Sequence, residues 1–312
     1  MKTLLKNALD NGINVLYDRY LRDKSNTDLV IAQSLQEIAS NPEQHISFPA
    51  EYAELLRGCI ESKKLTLKYI KKPDSSIKKT PEVKRFFTLL EVLEKNLLPI
   101  EITTAKEIAA IADSYRQISA VYQESNWVGD VHTHFHNSSS FGEKGRILNT
   151  VVRIMRSQNC LELGTAYGMS ALFICEAMKS ISDGGKLTTI EGGEQQHKLA
   201  KKMLQERYSS EVECLLGFTD EVIPSILPSL GQLDFVFHDA GHKKENYIRD
   251  FNNLLPALKS GAIFLLDDIR WSSPLLYDKD TACYEGWLEI TNHPQVLAAV
   301  EINKTLGAIL MA

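Results

Sequence analysis

The sequence predicts an α/β fold, a doubly wound sheet behind an N-terminal all-helical extension, on the strength of three observations. From about residue 160 onward, short apolar runs alternate with segments of helical period, as in a parallel sheet covered by helices on both faces. The first such run, Cys160-Leu161-Glu162-Leu163, passes directly into Gly164-Thr165-Ala166-Tyr167-Gly168-Met169-Ser170, a glycine-bearing turn that opens a helix. Ahead of residue 125, apolar residues recur at three-to-four spacing instead.

In the extension that spacing predicts helices over Leu4–Leu21, Asp28–Ile38, Ala50–Ile70, Pro81–Leu98 and Thr103–Gln123, with Pro81 in a first helical turn. Lys71 to Thr80, with its proline, serines and like charges, reads as a solvated loop. Residues 1–125 thus form a helical extension whose apolar faces must bury against something, either as a lid or across a two-fold axis, and a homodimer is expected. Residues 126–142 read as a linker or lid loop. His132, His134 and His136 alternate there; in an extended segment they would share one face, as a zinc site or as one ring facing a substrate.

Residues 143–312 carry the alternating pattern. After the first strand, Lys186–Ile190, Val212–Leu216, Leu233–His238 and Gly261–Leu266 read as further strands. Met169–Ile181, Glu194–Tyr208, Thr219–Leu230 and Glu245–Leu258 read as crossover helices. Leu297–Ile302 and Thr305–Met311, joined at Asn303-Lys304, read as a terminal hairpin.

The turn from Gly164 through Thr165 and Gly168 to Ser170 suits a nucleotide-type ligand, because backbone N–H groups and the positive end of a helix dipole face an anionic group there. The spacing is Gly-x-x-x-Gly without a middle glycine, which weakens a pyrophosphate reading and leaves an ordinary tight turn as the alternative. Glu191, followed by Gly192 at the tip of the next strand, suits a ribose diol or serves as a solvated cap. In Gly217-Phe218-Thr219-Asp220, Phe218 offers a stacking face for a base, while Thr219 and Asp220 offer polar contacts or cap the next helix. Asp239 follows the fourth strand and Asp267-Asp268 the fifth. Adjacent strand ends bring these carboxylates together, where they need a cation such as Mg²⁺ or Mn²⁺; alternatively they are loop caps paired to Lys243 and Arg270.

Leu161-Glu162-Leu163-Gly164 with Gly168 and Ser170, the strand-end Glu191, Asp239-Ala240 leading to Asn246-Tyr247, and Asp267-Asp268-Ile269-Arg270-Trp271 together resemble the cation-dependent O-methyltransferases of the catechol and caffeoyl-CoA type. The resemblance covers about Phe141 to Ala312. It implies a seven-stranded class I methyltransferase sheet with its last strand antiparallel, S-adenosylmethionine as cofactor, and a divalent cation that holds the acceptor hydroxyl. It places Glu162 and Asp239 near the cofactor, Glu191 on its ribose, and Lys144-Gly145 in the segment that covers its methionine portion. Asp267-Asp268 stands where Asp-Asn is common and is similar to the aspartate trio, here Asp239, Asp267 and Asp268, of antibiotic-sugar O-methyltransferases. The catechol-type lysine base aligns with His242, and Lys243 follows. A histidine titrates near neutrality and can take a proton without the desolvation a lysine base needs.

The expected function is methyl transfer to a hydroxyl of a natural-product-like small molecule, a phenol or a sugar. A metal-independent N- or carboxyl-methyltransferase and a non-catalytic assembly or regulatory module are the alternatives. At 312 residues the chain exceeds the roughly 200 that a bare methyltransferase sheet needs. A net charge of −5 gives no basic field for a nucleic-acid partner. The scattered cysteines, without Cys-x-x-Cys spacing, and the lack of any apolar run near the roughly 18 residues of a membrane span point to a cytoplasmic protein with no membrane partner.

Overall fold

The protein is described by a computed structural model over residues 65–73, 80–95, 97–98, 100, 102–116, 118–121, 128–131, 142–181, 184–270 and 283–312. Leu65–Leu90 with Val151–Ala312 form one compact unit, and the described part of Glu91–Thr150 belongs to a second.

The first unit holds a sheet of eight strands: β1 (Leu67–Lys71), β4 (Asn159–Leu163), β5 (Lys186–Glu191), β6 (Val212–Leu216), β7 (Leu233–His238), β8 (Leu258–Leu266), β9 (Val296–Ile302) and β10 (Leu306–Met311). Their order is β1-β9-β10-β8-β7-β4-β5-β6. The pairs from β8 through β6 are parallel, and β10 runs antiparallel between β8 and β9. Crossover helices are α4 (Met169–Lys179), α5 (Glu194–Tyr208), α6 (Thr219–Ile226) and α7 (Lys244–Leu254), with α8 (Cys283–Thr291) ahead of β9. Strand β7 and residues 261–266 of β8 are buried at every position, as strands covered on both faces must be. Asn303 and Lys304 take positive φ of 50° and 62°, the backbone a tight β9–β10 hairpin requires.

The doubly wound sheet is therefore present, with one strand more than expected. Leu67–Lys71 overlaps the end of the expected helix Ala50–Ile70 and the first residue of the expected loop, yet it pairs antiparallel with β9 from Leu67 opposite Ile302 to Lys71 opposite Ala299. The extension is thus not all-helical. The physical reason is legible in retrospect: Leu65, Leu67 and Tyr69 alternate with Thr66 and Lys68, a period of two that a window dominated by Leu and Lys disguises as helical. Thr80 accepts from Val83 N at its hydroxyl and from Lys84 N at its carbonyl, so α1 (Pro81–Lys95) begins at the expected proline.

In the second unit α2 (Ile102–Ser114) occupies part of the next expected helix, but its end is replaced by β2 (Ser119–Val121), paired antiparallel with β3 (Val128–Asp130). The helix α3 (Glu143–Met155) starts one residue before Lys144-Gly145 and runs on into the first unit. The expected helices before residue 65, the three alternating histidines and Trp271 lie outside the described residues. Among the described residues no helix is long and apolar enough to cross a membrane.

Candidate functional site

The strand order reverses at β4, which has β5 on one side and β7 on the other, so the crevice at the carboxyl ends of these strands is the topological switch point of the sheet. The ends are level: Leu163 is in register with Ile190 and with His238, Glu191 with Leu216, and His238 with Leu266. One residue beyond each end the backbones remain tied, by Gly164 N to Ile190 O (2.9 Å), Asp239 N to Leu163 O (2.8 Å), Gly217 N to Glu191 O (2.9 Å) and Asp267 N to His238 O (2.9 Å). Every expected site residue from Glu162 to Asp268 stands on or just after one of these stitched ends or at the start of the following helix.

Gly164 has φ of +91°, and a Cβ there would run into the carbonyl of Asp239, so the turn is closed by backbone packing as much as by any ligand's needs. Gly168, at φ +89°, caps α4 without a side-chain bond, and a Cβ there would meet Met203 and Ala200 of α5. Both oxygens of Glu191 are engaged with backbone, Ala166 N donating to Oε2 (2.6 Å) and Gly193 N to Oε1 (2.8 Å). This carboxylate therefore staples the glycine turn to the loop after β5. Burial raises its pKa, opposed by those two backbone donors.

Glu162 is fully buried beneath the turn. Thr189 Oγ1 donates to its Oε2 at 2.5 Å, and Thr165 Oγ1 lies 2.5 Å from Thr189 Oγ1, a hydroxyl relay from the turn to the acid. Burial pushes the Glu162 pKa up to about 7, with Ser170 and Thr189 opposing. The unfolded chain releases this proton near the ordinary value of 4.5, so between about pH 4.5 and 7 the folded state holds a proton that the unfolded state has lost. Stability should fall as pH rises through that window and level off above it. Glu162→Gln removes the titrating group, so its thermal midpoint relative to the unsubstituted protein should rise between about pH 5 and about pH 8. Parallel pH profiles would contradict this.

On the other side of Glu191, the Phe218 ring lies against Gly192, where a Cβ would come within 2.9 Å of it, and Phe218 is 59% exposed. A large aromatic left this open at a strand end offers a stacking face. Phe218 is also the residue before α6, so the helix starts at Thr219 and neither Thr219 nor Asp220 is its N-cap. Thr219 Oγ1 donates to Asp250 Oδ2 (3.0 Å) and accepts from Arg249 Nη2 (2.9 Å), while Asp220 Oδ2 lies 3.8 Å from Arg249 Nη1.

At the β7 and β8 ends, Asp239, His242 and Asp268 each offer a ligand atom, all within 4.8 Å of one another. His242 Nε2 lies 3.5 Å from Asp239 Oδ1 and 3.4 Å from Asp268 Oδ2. Burial disfavours the charged ring, but its bonds to Asp239 and Asp268 outweigh that and raise its pKa to about 10. The ring is thus seated between two carboxylates that favour its protonated form. Asp268 has φ of +51°, a backbone region open to Asp at a cost of about 1–2 kcal/mol. Asp267 before it is fully buried and outside the cluster; its carbonyl accepts from Tyr247 Oη (2.6 Å). Ile269 N donates to Thr305 O, and Arg270 binds buried Glu301 through Nε (3.2 Å) and Nη2 (2.9 Å). The strained residue is thus pinned on both sides. Arg270 is committed to Glu301, not to the aspartates, and Lys243 is an exposed residue preceding α7.

Two polar residues at the site were not picked out by sequence. His238 and Asp250 are both buried, with His238 Nε2 3.1 Å from Asp250 Oδ2. A histidine ending a buried strand after the apolar run Phe235-Val236-Phe237 and an aspartate three residues after Tyr247 on an apolar helix face were the available signals.

Comparison with solved structures finds an O-methyltransferase from Bacillus cereus in complex with SAH, at 19% identity and a TM-score of 0.49, covering 73% of this chain and 99% of that one. Among sequences, the chain is 25% identical over 167 residues to a catechol O-methyltransferase of Niastella koreensis, covering 53% of this chain and 68% of the relative. It is 32% identical over 161 residues to a human transmembrane O-methyltransferase, covering 48% and 53%. It is 24% identical over 144 residues to caffeoyl-CoA O-methyltransferase 1 of Eucalyptus globulus, covering 44% and 55%. The chain thus spans about half the length of the latter two relatives. A family described as a methyltransferase domain matches residues 161–269, the stretch that carries β4 through β8 and every strand end described above. Residues 161–269 of this chain thus match a methyltransferase-domain family, and the chain is similar to catechol and caffeoyl-CoA O-methyltransferases.

Proposed function

We propose that the protein transfers the methyl group of S-adenosylmethionine to a hydroxyl of a small molecule, with a divalent cation at Asp239 and Asp268. The observation that carries this reading is the seat formed by Asp239, Asp268 and the His242 ring, whose ligand atoms all lie within 4.8 Å of one another. Two carboxylates fit a divalent ion such as Mg²⁺, and the His242 imidazole, once it has lost its proton, would add a nitrogen donor suited to Mn²⁺. When bound, the cofactor supplies the electrophilic methyl, and the ion supplies Lewis acidity toward the acceptor oxygen.

The chain's own residues do the rest. Gly164 to Ser170 present the start of α4, Glu191 stands where a ribose diol can donate to it, and Phe218 offers its open face to a base. Fixing these groups on stitched strand ends holds the two reactants in one orientation, a large part of the barrier in a group transfer. The two carboxylates beside it favour the protonated form of His242. It becomes a base only when those carboxylates are neutralised by something other than that proton, and Lys243, exposed beside it, is the second candidate. The region before residue 126 is assigned acceptor selection and self-association.

The His242 pairing also favours a second reading, in which the imidazolium itself neutralises the aspartates and methyl transfer is metal-independent. The cofactor part of both readings rests on Glu191. By calorimetry, Glu191→Ala should weaken S-adenosylhomocysteine binding by about 1–3 kcal/mol, the worth of lost charge-assisted hydrogen bonds. Unchanged affinity in a folded variant would remove the ribose assignment, and tighter binding of NAD would remove the cofactor reading.

A further inference from the structure

Helix α7 reaches three strand ends from one face. Tyr247 donates to the Asp267 carbonyl at the end of β8 (2.6 Å), and its ring meets that of His238 edge-on at 4.9 Å between centroids. One turn later, Asp250 receives His238 of β7 (3.1 Å) and Thr219 at the start of α6 (3.0 Å) on Oδ2, and its neighbour Arg249 on Oδ1 (2.9 Å). Residues three apart on a helix share a face, so Tyr247 and Asp250 act from one rigid element. The three residues that follow or precede these contacts in sequence are the ones the site uses: Phe218 precedes Thr219, Asp239 follows His238, and Asp268 follows Asp267. Asp250 is fully buried, and a buried carboxylate persists only where its partners compensate for lost solvation. Burial opposes its charge, but His238 and Arg249 outweigh that and hold its pKa below the ordinary value.

We infer that Asp250 is a positioning residue. Through Thr219 and His238 it sets the Phe218 loop, the proposed seat of the nucleoside base, at a fixed spacing from the strand ends bearing Asp239 and Asp268. Thr219 then acts through Asp250 instead of contacting the cofactor. The inference rests on the proposed cofactor reading of Phe218 and deepens it, because it names what aligns the two halves of the site.

The test is a double-mutant cycle on S-adenosylhomocysteine affinity. Thr219→Val is nearly isosteric and Asp250→Asn keeps the shape of the buried group, so each removes the strap with little change in packing. Each single variant should lose about tenfold in affinity, and the double variant should lose no more than about twofold beyond either, because both break one unit. Thr219→Ser should restore the affinity. Mn²⁺ binding should stay close to that of the unsubstituted protein, which separates positioning of the loop from general loosening, while the thermal midpoint of Asp250→Asn should fall with the loss of its buried pairs to His238 and Arg249. Should Asp250→Asn not fold, His238→Gln, which changes the partner of the same carboxylate, takes its place in the cycle. Additive losses near a hundredfold would show that Thr219 contacts the cofactor directly and would overturn the proposal. Wild-type affinity in a folded Asp250→Asn variant would do the same. If the unsubstituted protein binds no S-adenosylhomocysteine, the cofactor reading itself fails and this inference with it.

Discussion

Asp239→Ala should lower methyl transfer to a hydroxyl acceptor by about a hundredfold or more, since Lewis-acid stabilisation of developing charge is worth several kcal/mol and each 1.36 kcal/mol is tenfold in rate. The backbone of Asp239 is fixed independently of its side chain by the bond from its N–H to Leu163 O (2.8 Å), so the turn and the glycine it packs against should persist. Removing the carboxylate leaves His242 paired to Asp268 alone at 3.4 Å and takes one of three donors from the seat. The variant should fold and should bind S-adenosylhomocysteine within about tenfold of the unsubstituted protein, because neighbouring backbone and Glu191 still frame the cofactor crevice. Rate and affinity measured on one preparation separate the two effects. A rate within about threefold of the original would remove Asp239 from the reaction altogether.

Gly164→Ala should be the most damaging change to the cofactor crevice. Two costs coincide: a left-handed backbone at φ +91°, and a Cβ directed into the Asp239 carbonyl. A left-handed non-glycine residue costs about 1–2 kcal/mol, and forcing an extra group into packed backbone costs about 1–3 kcal/mol more. Relief requires β4 and β7 to separate at their ends, which is where the turn and Asp239 meet. The expected outcome is a destabilisation of roughly 2–5 kcal/mol in denaturant unfolding, together with loss of measurable S-adenosylhomocysteine binding. Gly184→Ala is the control, because Gly184 also has positive φ, at +72°, but nothing lies within 4 Å of where its Cβ would be. Equal effects at the two positions would show that backbone strain alone, not the approach to Asp239, makes Gly164 necessary.

Much of this architecture is written in local pattern. Apolar runs that end in Gly164, Glu191, Gly217 and Asp239 could be read as parallel strands because each is followed by a segment of helical period, and that alternation admits few topologies. The eighth strand was hidden because β1 is an edge strand with its residues only half covered, so its burial signal is weak and its alternation short. The candidate site divides the same way. Residue types at strand tips were legible, since an acid or a glycine there has few other reasons to be present. Which side chains meet was not: Asp267 and Asp268 are adjacent in sequence, but the positive φ of Asp268 sends it to His242 while Asp267 is buried. The His238–Asp250 pair depends on α7 crossing beneath β7, a tertiary relation to which no sequence spacing points.

In the proposed reaction the carboxylates of Asp239 and Asp268 serve a divalent cation during methyl transfer. Transfer of labelled methyl from S-adenosylmethionine to a panel of phenolic and sugar hydroxyls, run in EDTA and again with Mg²⁺ or Mn²⁺ restored, tests it most directly. The account predicts no transfer above background in chelator and recovery on addition of the metal, with no recovery in Asp239→Ala. Full turnover in chelator would contradict it and would leave the imidazolium of His242 as the charge that neutralises the two aspartates.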